Sequence, residues 1–255
     1  MLTLECNICG RIFEGKRRRA AAHCKECAKL IRKEGRGPIQ QKRRGEDISV
    51  IQTLDWSKAE KYLFYYLKRF GRFPKYDGAN PDEINEITEE DRKLANQVAA
   101  RMSKEVWGPL IHNRESITEI GQWDLLHMSD QDWQVNRNVV HRKLAKLVAY
   151  PGIGVARLTK ALHRKRPRLI PICDSVLCKA FTIAQGNKAD RIIQCMDGLR
   201  QVGRESSNAL GKLRKLTKSN GTELTELRIL EVLYWVEFGP FRPDVNELAD
   251  YLKCC

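Results

Sequence analysis

At 255 residues, 42% of them hydrophobic and 31% charged, the chain can hold one sizeable core plus a small module. A formal net charge of +14 favours a polyanionic partner. No stretch reaches the roughly 18 unbroken apolar residues of a membrane span, and no apolar segment ahead of a cleavage site is seen, so no membrane span or secretory signal is read and an intracellular protein is expected.

The first predicted module, residues 1–30, is rich in cysteine. Nine cysteines is an odd count, and four of them fall in tight pairs within the first 27 residues; in a protein that stays in the cell this reads as metal binding rather than disulfides. Residues 31–46 form a basic linker with Gly35, Gly37, Pro38 and Gly45. Residues 1–46 carry thirteen Lys/Arg and five Glu, a net of +8. From residue 47 to 255 the pattern is helical, with apolar residues three and four apart. Asp55 is placed to cap a helix through 58–70, stopped by Gly71 and Pro74. Thr88-Glu-Glu-Asp91 resembles a capping box ahead of a helix over 92–102. Ser116 or Thr118 starts a short helix through Leu126, and Ser129 or Asp130 a long one ending near Tyr150. Further helices are predicted at 155–164, 175–182, 188–202, 206–218, 223–238 and 244–253. The expected fold is mostly α, a small finger module followed by an all-helical domain.

A structural zinc site needs four soft or borderline ligands in a tetrahedron. Cys6 and Cys9 supply a C-x2-C pair, and His23 and Cys27, four apart, suit one face of a helix. Phe13 falls where the few apolar residues must pack behind the metal. With Gly10 and Arg11, the segment resembles the CCHC variant of the C2H2 zinc finger and implies one structural Zn2+. A four-cysteine set with Cys24 in place of His23 is the alternative. Lys16, Arg17, Arg18 and Arg19 lie where such a finger's helix begins, an end that commonly faces a DNA groove; phosphate contact is their expected role.

The stretch Tyr150-Pro-Gly-Ile-Gly-Val-Ala-Arg-Leu-Thr-Lys160 reads as a turn between two helices. Gly152 and Gly154 permit positive φ and close approach of a phosphate, Ile153 packs the hairpin, and the amides near Val155 point at the anion. From Trp133 to Cys173, 41 residues, there is no Asp or Glu but ten Lys/Arg. Arg157, Lys160, Lys165 and Arg166 are the expected phosphate contacts, with His163 nearby. The first acid afterwards is Asp174, which is also well placed as a helix N-cap before Ser175.

This hairpin, followed by Pro171-Ile-Cys-Asp174-Ser-Val176, resembles the helix-hairpin-helix DNA glycosylases of the endonuclease III and adenine glycosylase superfamily. In that family the catalytic aspartate follows the second hairpin glycine by twenty residues, as Asp174 follows Gly154. The resemblance implies Asp174 as a catalytic carboxylate that stabilises an oxocarbenium-like sugar or orients water at C1′. It further implies double-stranded DNA as partner, with a modified or damaged base as target. Bifunctional members carry a Schiff-base lysine two residues after that glycine; Ala156 stands there, so no lyase step by that lysine is expected. Cys195, Cys254 and Cys255 do not make the family's C-x6-C-x2-C-x5-C run, so no iron–sulfur cluster is expected. An extruded base needs an aromatic pocket, for which Trp123, Trp133, Tyr65, Tyr66 and Trp235 are candidates; of the adjacent tyrosines at least one is expected to be exposed. Trp235 sits in an amphipathic run and reads as core. The competing readings are a non-enzymatic DNA-binding protein in which Asp174 only caps a helix, and an interaction module whose finger meets protein and whose basic arm meets RNA. An open, aromatic-lined cavity at Asp174 favours the glycosylase, and a filled one the non-enzymatic DNA-binding protein.

Overall fold

The computed structural model describes residues 2–5, 12–15, 51–70, 76–77, 84–113, 115–183, 186–240 and 242–243. The chain divides into two compact units, Met1–Ile48 and Ser49–Cys255. In the first, β1 (Leu2–Glu5) pairs antiparallel with β2 (Ile12–Gly15), Leu2 opposite Gly15 and Glu5 opposite Ile12. The expected zinc ligands Cys6, Cys9, His23 and Cys27, and the basic run Lys16–Arg19, lie outside the described residues.

The second unit is helical. A 3-10 turn, Trp56–Lys58, capped by the Asp55 carboxylate on the Ser57 amide, leads into α1 (Ala59–Arg69). Next come α2 (Glu89–Gln97), α3 (Lys104–His112), α4 (Asp130–Val148) and α5 (Val155–Lys165). The chain continues through α6 (Ser175–Ala180), α7 (Lys188–Glu205), α8 (Ser207–Ser219) and α9 (Glu226–Phe238). No described helix is long and apolar enough to cross a membrane. Helix α9 is central: ten of its thirteen residues are buried, as expected of a helix hydrophobic nearly all round. It packs against α1, α6, α7 and α8, while α2 and α5 pack together.

Local chemistry sets many of these boundaries. Thr88 and Asp91 form the capping box, the Asp91 carboxylate accepting the Thr88 amide at 2.7 Å. Ser129 and Thr225 accept the amides of Asp132 and Arg228 as N-caps of α4 and α9. Three expectations are corrected. Helix α2 stops at Gln97, not Met102, because Ala99 and Arg101 take left-handed φ of 61° and 51°. Residues 116–126 form turns rather than a helix; the Arg166 guanidinium takes the carbonyls of Ile117 and Ile120, which a helix would have used itself. Helix α3 is not among the expected helices; Ser103 caps it on the Val106 amide, and Pro109 sits within it. The helix expected at 244–253 lies outside the described residues.

Candidate active site

Asp174 ends a short extended segment that neighbouring helices hold in place. The Ile172 amide donates to Glu231 Oε1 on α9 at 2.9 Å, and the Cys173 amide donates to Thr159 Oγ1 on α5 at 3.1 Å. Thr159 in turn donates to the Val155 carbonyl, so the segment is pinned to the hairpin helix. Asp174 then caps α6: its Oδ1 accepts the Val176 amide at 2.8 Å and the Leu177 amide at 3.1 Å. No partner for Oδ2 occurs among the described residues, and the side chain is half-buried.

This carboxylate lines a cavity of about 360 Å³. Tyr66, Phe70 and Trp235 form its aromatic wall, with Phe70 and Trp235 edge to face at 4.9 Å. Val98, Ile172 and Val232 supply aliphatic surface, and Lys160 and Arg228 are its cations. Behind the wall runs a buried polar network. Arg228 donates to Asp77 Oδ1 (2.9 Å), Glu231 Oε2 (2.9 Å) and the Tyr66 hydroxyl (2.7 Å), and Tyr66 donates to Asp77 Oδ2 (2.6 Å). Burial pushes the Tyr66 phenol well above its ordinary range, so it stays neutral. Burial also opposes the charge on Arg228, but Asp77, Tyr66 and Glu231 outweigh it and hold its pKa well above the usual value. Burial raises Glu231 to about 8. Lys160 donates to the Val98 carbonyl at 2.5 Å; burial lowers its pKa, with the Asp174 carboxylate opposing and Arg228 and Arg101 reinforcing the shift.

The hairpin sits on the same helix as Lys160. Gly152 adopts φ of +77°, and Ile153 is fully buried as expected. Gly154 is the N-cap of α5 in extended backbone (φ −104°), with no side chain capping the first-turn amides. Val155 is buried.

Several expected contacts fall elsewhere. Arg157 donates to the carbonyls of Ala100 (3.2 Å) and Gly152 (2.6 Å). Lys160 faces the cavity rather than the surface. Lys165 and Arg166, both 2% exposed, cannot grip phosphate: Lys165 pairs with Asp91 at 2.9 Å, and Arg166 donates to the carbonyls of Ile84, Ile117 and Ile120. His163 is likewise buried, its Nδ1 2.8 Å from the Ile170 carbonyl.

Of the aromatic candidates Tyr66 and Trp235 line the cavity. Both Tyr65 and Tyr66 are buried, Tyr65 edge-on to Phe70 at 5.9 Å, which corrects the expectation that one is exposed. Trp133 donates to Asp197 at 2.8 Å, and half-buried Trp123 packs against the core. Trp235, read as core, packs against the core and also forms part of the cavity wall, with Phe70 and Arg228. A charged residue within the apolar run 226–238 was the one signal in the sequence that could have revealed Arg228. Among the described residues no group of three or more His, Cys, Asp or Glu could hold a metal.

The sequence profile of a family of unknown function, DUF6308, matches residues 60–238. The chain belongs to the DUF6308 family. That match runs from α1 to α9 and takes in the hairpin, Asp174 and every residue named in the cavity. No curated protein matches this DUF6308 chain, and no solved structure does.

Proposed function

We propose that this DUF6308 chain binds duplex DNA and hydrolyses the N-glycosidic bond of a modified or damaged base, with Asp174 as the catalytic carboxylate. The observation that carries this reading is the Asp174 side chain on an aromatic-lined cavity, fixed by α5 and α9. With Oδ1 tied to two amides, Oδ2 would face the sugar of an extruded nucleotide, stabilising positive charge at C1′ or orienting the attacking water. Phe70 and Trp235 would receive the planar base. The first-turn amides after Gly154 would hold a backbone phosphate. The zinc finger of Cys6, Cys9, His23 and Cys27 and the run Lys16–Arg19 would add grip on the duplex.

The test is base release. Wild type and Asp174→Asn are incubated with duplexes carrying a panel of modified and damaged bases, and free bases and abasic sites are read by mass spectrometry. Release by wild type alone is expected. Borohydride added to the same reaction should trap no covalent adduct, because hydrolysis needs no amine intermediate. The second reading, a DNA-binding protein without chemistry, draws on the two amide bonds by which Asp174 caps α6. Equal DNA binding by both proteins with no release from any substrate would favour it.

A further inference from the structure

Three carbonyls of the hairpin turn are held by donors of the chain itself. The Tyr150 carbonyl accepts the Ile153 amide at 3.1 Å, and the Gly152 carbonyl accepts the Arg157 guanidinium at 2.6 Å. The Ile153 carbonyl accepts Nζ of Lys188 at 2.8 Å, and the same ammonium reaches the Val148 carbonyl in the last turn of α4 at 3.2 Å. Lys188 is the first residue of α7, 35 residues beyond Ile153. One side chain thus ties the start of α7 both to the end of α4 and to the turn that leads into α5. It makes no ion pair among the described residues, so these two carbonyls are what fix its head group.

The bond to Ile153 sets the direction of the next amide. No peptide bond among the described residues is cis, and in a trans peptide the C=O and the following N–H point to opposite sides. With the Ile153 carbonyl turned onto Lys188, the Gly154 N–H points away from it. That amide has no acceptor among the described residues, and it stands at the N-cap of α5, where no side chain caps the helix. An ammonium on the carbonyl also polarises the peptide and makes its N–H a stronger donor.

We propose that Lys188 is a positioning residue of the hairpin: it aims the Gly154 amide at the DNA phosphate and does not touch the phosphate itself. The proposal rests on the reading of the hairpin as a phosphate site. Lys188 lies on the carbonyl side of the peptide between Ile153 and Gly154, opposite the amide that meets the anion. Arg157 fixes the preceding peptide through the Gly152 carbonyl. Both peptides that flank Ile153 are therefore held before DNA arrives, and the turn loses little freedom on binding. Arg157, which the sequence assigned to phosphate, shares this work with a lysine from a different helix.

The test measures binding of the full chain to a labelled duplex by anisotropy across a salt series. Lys188→Ala removes the ammonium from the Val148 and Ile153 carbonyls. It should weaken binding by about tenfold, the scale of one amide bond to an anion, at every salt concentration. Lys188 is exposed, so a small amine can enter the space it leaves. Methylammonium chloride, which has N–H donors, should restore most of the lost affinity; tetramethylammonium chloride at the same concentration has none and should not. Urea midpoints in the two salts show that binding, rather than folding, is what recovers. Lys188→Ala binding within about twofold of wild type overturns the positioning role. So does a salt slope lowered by about one with no recovery in methylammonium, the mark of a lysine that touches phosphate directly. In either case Gly154→Asp, measured alongside, decides the hairpin: weakened binding leaves it standing as a phosphate site, and wild-type binding overturns both readings.

Discussion

Replacing Gly154 by aspartate separates the hairpin's folding role from its binding role. Gly154 is the N-cap of α5 in ordinary extended backbone, no side chain caps the helix, and a Cβ there meets nothing within 4 Å. Aspartate is a preferred N-cap and also suits the helix dipole, so stability should hold or rise by a few tenths to about 1 kcal/mol. The same carboxylate would stand where the proposed phosphate binds. Two like charges about 4 Å apart repel by about 1 kcal/mol in water and about 4 kcal/mol near a protein surface. Since about 1.4 kcal/mol is tenfold, affinity should fall by more than about tenfold once the lost amide contact is added. Gly152→Ala is the contrast. Its φ of +77° and a Cβ 3.0 Å from Val106 Cγ2 should cost about 1–2 kcal/mol of stability. Urea denaturation and anisotropy titrations across a salt series read the two quantities separately, and the added carboxylate, offsetting about one cation at the phosphates, should lower the salt slope by about one. A Gly154→Asp protein of unchanged stability with an unchanged salt-dependent binding curve would refute the hairpin as a phosphate site.

Three further outcomes are expected. Arg166→Met should destabilise the chain by more than about 3 kcal/mol, because the Ile84, Ile117 and Ile120 carbonyls lose their buried donor; a urea midpoint within about 1 kcal/mol of wild type would return Arg166 to the surface role read from the sequence. Burial, reinforced by the charge of Arg228, lowers His163 to about 3, so its ring signals in NMR should not titrate between pH 8 and 4. The unfolded chain takes up that proton first, near pH 6.5. His163 therefore reduces stability as pH falls below 6.5, while Glu231, raised to about 8, acts in the opposite sense between 4.5 and 8. Metal analysis of protein purified without chelator should find one tightly held zinc per chain; none would remove the finger.

What the sequence determined by itself was local. Asp174 as an N-cap, the Thr88–Asp91 capping box, the turn at Gly152 and the burial of Ile153 each depend on residues within a few positions of one another. The charge-rich window 133–173 was misread because its cations find partners far along the chain. Arg166 reaches carbonyls at 84, 117 and 120, Arg157 reaches Ala100, and Lys165 reaches Asp91. Composition cannot separate a solvated arginine from one caged by carbonyls, since both look the same over a short window. The cavity was equally out of reach. Its wall draws Phe70 from the C-cap of α1, Val98 from the C-cap of α2, Lys160 from α5 and Trp235 from α9, so only the packing of α9 at the centre of the domain brings these side chains around Asp174.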